Sequence, residues 1–388
     1  MSHTPTPWRT SYLTFGAPHV GVEEREELLA CLDSGWLGTG PRVARLEAEF
    51  GRYVGRTAVA VNSCTAALHL ALRALDLQPG DEVVTSAMTF CATANAILHA
   101  GAVPVFADCE RDTLNLDPAD VARKLTPRTR VLLPVHFAGR PCAMGPLGEI
   151  ARAHELAVVE DCAHAIEATL DGRHCGTFGD FGCFSFYVTK NMTTVEGGMV
   201  TCARDDAAAR IKTLALHGMS ADAWHRYGDD GFRHYDVVEP GFKYNLTDLA
   251  AAIGLHQLAR LEQNWLRRKA LWDYYLTELR DLPLVLPAPV PANVRHAFHL
   301  FTCLVDDGRT PVSRDQVLTG LHALRIGSGV HYRAVHLHSY YQRTLGARTG
   351  RLPNAEWASA RTFSLPLSPA VTDADAADVV RALRLLLA

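Results

Sequence analysis

Between Asp180 and Thr201 the chain reads D-F-G-C-F-S-F-Y-V-T-K-N-M-T-T-V-E-G-G-M-V-T. The first half is apolar and aromatic (Phe181, Phe184, Phe186, Tyr187), the pattern of a buried strand. Lys190 follows directly. The hydroxyls Thr193 and Thr194, Glu196 and the pair Gly197-Gly198 then lead into a second strand-like run, Met199 to Cys202. A lysine carried off the end of a core strand, beside glycines that permit close backbone approach, is an amine that can be held against a cofactor. A lone lysine in a turn is more often a plain surface residue. The other strand ends must therefore supply the remaining parts.

After the apolar run Thr57 to Val61 comes Asn62-Ser63-Cys64-Thr65-Ala66-Ala67, small and polar, entering a helix. Free backbone N–H groups and the Ser63 and Thr65 hydroxyls make an anion site there, with phosphate as the natural guest; an N-cap without a ligand has the same sequence. After Glu82 to Thr85 comes Met88-Thr89-Phe90, whose aromatic ring could stack on a flat ligand or fill a core. After Ala157 to Glu160 comes Asp161-Cys162-Ala163-His164. A carboxylate at that point is costly to bury unless paired, and a protonated ring nitrogen is a suitable partner. His164 is near enough in sequence to meet the same ring. Jointly the strand ends offer a phosphate nest, a stacking aromatic, a carboxylate for a ring nitrogen and a lysine for an aldehyde. These are the contacts that pyridoxal 5′-phosphate requires.

The elements that position them alternate. The strand-like runs, which include Val103 to Phe106 and Val131 to Val135, are separated by helical stretches at Thr65 to Leu75, Thr89 to His99, Pro118 to Leu125 and Gly145 to Glu155. Such alternation predicts a mainly parallel sheet covered on both faces, with ligands beyond the carboxyl ends of its strands. Before it, helices at Val22 to Leu32 and from Pro41 to about Tyr53 flank Gly35-Trp36-Leu37-Gly38-Thr39-Gly40, a loop suited to meeting a ligand. After it come a helix (Arg204 to His217), a polar segment (Gly218 to Gly241), a long helical region (Leu246 to Leu279) broken near Asn264, and a proline-rich crossing (Pro283 to Pro291). A strand (Phe298 to Val305) and helices (Arg314 to Leu324, Asp373 to Leu387) then form a smaller α+β unit.

With 388 residues the chain can form two domains. A net charge of -4 argues against nucleic-acid binding. Ten cysteines without C-x-x-C are expected as reduced core thiols of a cytoplasmic protein. The scattered histidines show no metal-ligand spacing, and no apolar run approaches membrane-spanning length.

Motifs along almost the whole chain are similar to those of the DegT/StrS family of pyridoxal phosphate-dependent sugar aminotransferases. They run from S-G-W-L-G-T-G-P (Ser34 to Pro41) through G-D-E-V (Gly80 to Val83), T-F-C-A-T-A-N (Thr89 to Asn95), E-D-C-A-H-A (Glu160 to Ala165), F-S-F-Y-V-T-K-N (Phe184 to Asn191) and E-G-G-M-V (Glu196 to Val200) to A-A-I-G-L-H-Q-L (Ala251 to Leu258) and S-L-P-L-S-P (Ser364 to Pro369). The resemblance implies an α/β type I aminotransferase fold: a seven-stranded, mainly parallel sheet in a large domain (residues 1–250) and a small C-terminal domain (residues 251–388). It implies Lys190 as the amine joined to the cofactor aldehyde, Asp161 at the ring nitrogen, His164 near the ring hydroxyl and Phe90 stacked on the ring. Ser63, Cys64, Thr65, Ala66 and Ser185 would hold the phosphate. Lys243, in Gly241-Phe242-Lys243-Tyr244-Asn245, would reach it from the partner subunit of a homodimer.

The implied reaction is ping-pong transamination from an amino acid, L-glutamate, to the ketone of a nucleotide-diphosphate sugar at C4. Trp36, Gly38, Thr39, Arg226, Arg233, His331 and Tyr332 are the substrate contacts expected. Amination at C3, amination of a keto-cyclitol, and a cofactor-binding regulator without turnover are the alternatives. Lys190 argues against the related sugar dehydratases, which carry histidine there, and no glycine-rich strand-helix turn supports an NAD-dependent enzyme.

Overall fold

A computed structural model describes residues 6–220, 234–349 and 351–387. Its centre is a seven-stranded sheet in the order 57–61, 198–202, 181–185, 157–161, 129–133, 82–86, 103–107. Four of the six pairings are parallel, and both pairings of strand 198–202 are antiparallel. That one reversal has a consequence for the site. Six strands send their carboxyl ends to one edge, and strand 198–202 sends its amino end, with Gly197 and Gly198, to the same edge.

The sheet is covered on both faces because its residues alternate. Val59, Val61, Phe181, Cys183 and Val200 join the helices Cys64–Arg73 and Asp205–Ala215 in one core. Ala58, Ala60, Phe184 and Met199 point the other way, against Phe50 of helix Pro41–Val54 and Leu255 of helix Asp248–Ala259. The strands and helices lie within a few residues of the expected bounds. The helical break near the end of the sheet unit falls at Arg260, between Asp248–Ala259 and Leu261–Glu278, four residues before Asn264. Beyond it, Leu261–Glu278, Arg314–Ala323 and Asp373–Leu387 enclose a three-stranded antiparallel sheet (284–285, 301–305, 362–365) around Trp272, Tyr275, Phe301 and Phe363. Helices Ser339–Thr349 and Pro353–Arg361 lie in a stretch that the sequence left without elements. Among the described residues no helix is long and apolar enough to cross a membrane.

Two buried carboxylates hold the loops around the site. Glu160 accepts from the N–H groups of Gly176 (2.8 Å), Phe178 (2.6 Å) and Gly179 (2.8 Å), and from His136 Nε2 (3.0 Å). His136 Nδ1 accepts from Cys142 N–H at 3.0 Å, so Nε2 carries the proton. Asp248 accepts from the N–H groups of Gly40 (2.9 Å), Arg42 (3.1 Å) and Val43 (2.9 Å), capping helix Pro41–Val54 from a distant part of the chain. The Gly35 to Gly40 loop is thereby anchored, with Thr39 Oγ1 donating to Leu246 C=O at 2.5 Å.

Strand 198–202 passes close beneath the Ser63-Cys64 turn. A Cβ on Gly198 would lie 2.6 Å from Ser63 C, 2.7 Å from Cys64 N and 2.8 Å from Phe184 O, all backbone atoms. Gly198→Ala is expected to cost about 1–3 kcal/mol in urea unfolding, as overpacking does, and to weaken binding of phosphate at that turn. Unchanged unfolding would show that turn and strand separate freely.

Candidate active site

A cavity of about 550 Å³ opens at the shared edge of the sheet, within the range of about 300–1,000 Å³ usual for small-molecule sites. Strand 181–185 delivers Ser185 to its wall, and a turn closed by Lys190 N–H to Tyr187 C=O (2.9 Å) brings in Lys190. The chain then folds back, with Thr194 N–H donating to Phe186 C=O at 3.0 Å. Burial pulls the Lys190 amine down from 10.5 to about 8, against the opposing pull of Cys64 and Asp161. A neutral, nucleophilic amine is therefore present in quantity near neutral pH. Between those two values the unfolded chain holds a proton that the folded amine has released, so this group's contribution to stability rises with pH across the window.

Asp161 ends strand 157–161 and is 4% exposed. Its Oδ2 accepts from Thr93 Oγ1 at 2.8 Å and its Oδ1 from Ala163 N–H at 3.1 Å. Because Thr93 gives its proton to the carboxylate, the 2.7 Å contact between Thr89 Oγ1 and Thr93 Oγ1 has Thr89 as donor. The chain of hydroxyls thus points one way. Both partners of Asp161 are neutral, and burial pushes its carboxyl up despite them. A cation arriving in the cavity would hold it ionised.

His164 stands next to it. Its Nδ1 accepts from Ala138 N–H at 3.2 Å, and burial holds the ring neutral, its pKa well below the usual value. Nε2 is therefore the protonated nitrogen and donates to Tyr332 Oη at 3.0 Å. Tyr332 already accepts there, so its own hydroxyl proton is free for an acceptor in the cavity. His331 lies alongside, with Nδ1 2.9 Å from Ser364 Oγ and its ring 5.4 Å from Phe15. Phe90 caps the amino end of helix Cys91–His99 and turns its ring to the cavity, 6.1 Å from Tyr332.

At the opposite end Ser63 is the N-cap of helix Cys64–Arg73, its Oγ accepting from Ala66 N–H at 3.1 Å. The first N–H groups of a helix have no partner within it, and here Ser63, Cys64 and Thr65 line the cavity. Burial pushes the Cys64 thiol well above its usual range, so it presents a neutral S–H.

Of the residues expected from the sequence, Ser63, Cys64, Thr65, Phe90, Asp161, His164, Ser185, Lys190, His331 and Tyr332 are brought together in this one cavity. Ala66 is buried just behind it, its N–H spent on the cap. Trp36 and Thr39 are not brought there within the chain: they line a separate hollow of about 410 Å³ with Lys212, Leu216 and Asn245. Gly38 is tied beside it, accepting from Asp248 N–H at 2.7 Å. Lys243 is exposed, and its carbonyl accepts from Asn62 Nδ2 at 3.3 Å, one residue before the Ser63 turn. Arg226 and Arg233 lie outside the described residues. Sequence reasoning missed Thr93, Tyr187 and Glu196. No sequence signal marked Thr93: Thr89 precedes the helix Cys91–His99, and the partner that gives Thr93 its role, Asp161, lies 68 positions on.

Three features of the chain itself fit pyridoxal phosphate. An amine with a depressed pKa faces the cavity, a buried carboxylate there lacks a cationic partner among its hydrogen bonds, and a helix start lies where Gly198 leaves room for close backbone approach. On this mainly parallel sheet they define a pyridoxal phosphate-dependent transaminase. The chain belongs to the DegT/DnrJ/EryC1/StrS aminotransferase family, whose model it matches over residues 18–384. It is 46% identical over 378 residues to the spore coat polysaccharide biosynthesis protein SpsC of Bacillus subtilis, covering 97% of each chain. Among solved structures it is similar to the putative sugar aminotransferase Spr1654 of Streptococcus pneumoniae in its PLP form (TM-score 0.89, 30% identity, 97% and 98% of the two chains). It is also similar to DesI, determined in the presence of its TDP-sugar product (TM-score 0.87, 33% identity, 98% and 94%).

Apoprotein mixed with pyridoxal phosphate should turn yellow at a rate that rises with pH around a midpoint of about 8, and Lys190→Ala should stay colourless. A midpoint of about 10, the value of a solvated amine, would contradict the burial argument.

Proposed function

We propose that this chain moves an amino group from an amino acid, L-glutamate, to C4 of a nucleotide-diphosphate 4-keto-6-deoxyhexose. The observation that carries the reading is the pairing, in one cavity, of the desolvated Lys190 amine with the hydroxyl of Tyr332, whose proton is free for an oxygen acceptor. Support for a sugar nucleotide comes from DesI and its TDP-sugar product, and the relation to SpsC supports a polysaccharide precursor as the product's use. Preference for C4 rests on the S-G-W-L-G-T-G-P and T-T-V-E-G-G segments of the sequence.

In this reading Ser63, Thr65, Ser185 and the N–H groups at the start of helix Cys64–Arg73 hold the phosphate, and Phe90 covers the ring face. The cofactor, when bound, supplies an electron sink for the carbon that loses its proton. Asp161 keeps the ring nitrogen protonated by offering it a charge that water does not screen. Lys190, neutral for part of the time near pH 8, takes the proton from the substrate carbon and returns it on the other side of the transfer. Tyr332 holds a substrate or cofactor oxygen, and His164 keeps that donor pointed into the cavity.

The enzyme acts as a homodimer in which Lys243 serves the partner's phosphate. The support is its exposed position beside Asn62 at the phosphate end, together with the family motif in which it lies. Equal mixing of Lys190→Ala and Lys243→Ala chains should then restore native cofactor affinity to one site in each mixed dimer. No recovery would place Lys243 in its own chain's site. For the substrate, protein in the pyridoxamine form should be discharged by a 4-keto-6-deoxyhexose nucleotide, read as return of the yellow absorbance. Discharge only by 3-keto sugars or keto-cyclitols would overturn the C4 reading.

A further inference from the structure

Behind the wall that carries Lys190 lies a chain of buried polar groups. Asn191, the next residue, is 8% exposed, and its Nδ2 donates to Glu167 Oε2 (2.7 Å) and to Ala297 C=O (2.9 Å). Both are pure acceptors, so the amide orientation is chemically forced and Oδ1 faces His299 Nδ1 at 2.8 Å. His299 must therefore donate from Nδ1. Burial holds this ring neutral, and the proton has one place to be. Glu167 is in turn paired with buried Arg268.

The other side of the same histidine meets the opposite wall. The His299 ring lies 4.4 Å from that of His164. The backbone N–H of His299 donates to Ala138 C=O at 3.2 Å, and Ala138 N–H is the donor that sets the tautomer of His164. The approach needs Gly139, where φ is +97° and a Cβ would lie 2.9 Å from both Ala297 Cβ and His164 O. The His299 side chain thus touches the residue after Lys190 and the ring of His164, while its backbone holds Ala138, whose own N–H orients His164.

We propose that His299 is a positioning residue, which fixes the lysine-bearing loop through Asn191 and the His164–Tyr332 pair through its ring and backbone, keeping amine and hydroxyl in register across the cavity. It touches neither substrate nor cofactor, and acts through Asn191 and His164. The inference rests on Lys190 being the cofactor lysine and is independent of which sugar is aminated.

The test uses the full-length protein loaded with pyridoxal phosphate and reads the pH titration of its visible absorbance, with no substrate present. H299F keeps a ring against His164 and loses the donor to Asn191; H299N keeps a donor and loses the ring. The titration midpoint of H299F is expected to move by roughly one pH unit, and the rate of cofactor capture to fall roughly ten- to a hundred-fold, as for a misplaced reacting group. H299N is expected to recover most of that rate. Thermal melting of the apoproteins separates packing from positioning. A lowered melting temperature with parental midpoint and capture rate in the folded fraction would overturn the proposal, as would an H299F variant identical to the parent. If either variant fails to fold, N191S supplies the same comparison, since it removes the bond to His299 and leaves the ring contact intact. Lys190→Ala that still turned yellow would instead sink the cofactor-lysine reading, a different failure.

Discussion

An amine and a carboxylate, both deprived of water, share one cavity at the edge of this sheet. Neither charge is cheap in that setting. Burial drives Lys190 toward its neutral form and Asp161 toward its protonated form. Each is thereby left without the partner it would choose in solution. A cofactor that presents an aldehyde to the first and a cationic ring nitrogen to the second relieves both at once. A cofactor that met both groups would offset the cost of keeping them dry, and that offset would add to its affinity.

The sheet topology makes this arrangement possible at a single edge. Parallel strands deliver carboxyl ends together, which gathers Ser63, Asp161 and Ser185. The reversed strand adds what no carboxyl end could. It brings in a glycine at its start, and only a residue without a Cβ fits beneath the Ser63-Cys64 turn. The lysine loop is then closed between strand 181–185 and its antiparallel neighbour 198–202, so two adjacent pairings hold both ends of the segment that carries Lys190.

What was legible from the sequence divides along the same physical line. Strand ends read well because burial forces a long apolar run, and the break from it into small or charged residues is visible in one dimension. Lys190, Asp161 and Ser63 are such breaks. His331 and Tyr332 were legible only through family resemblance, since they come from the distant C-terminal unit and no periodicity marks them. The Gly35 to Gly40 loop read as free to meet a ligand, because its glycines were visible and its anchor, Asp248, lies some two hundred positions on. Thr93 was hidden by its ordinariness: a threonine in a helix shows its role only when the carboxylate above it is known. Helices Ser339–Thr349 and Pro353–Arg361 were missed where His, Tyr and Arg interrupt the apolar pattern.

The polar chain behind Lys190 is the least economical part of the molecule in stability terms. An apolar cluster of the same volume would hold the wall at least as well, because a buried ion pair such as Glu167–Arg268 barely repays its own desolvation. An apolar contact, however, has no direction, and it tolerates small rotations of its members. The amide of Asn191 does not: with two acceptors on one side and a donor on the other, a single orientation satisfies it. The same holds for His164, fixed as an acceptor toward Ala138 and a donor toward Tyr332. Proton transfer needs the amine held to within roughly half an ångström of its productive position, and that demand is met by groups that have one acceptable geometry. The buried polar residues on this side of the sheet are therefore best understood as setting angles.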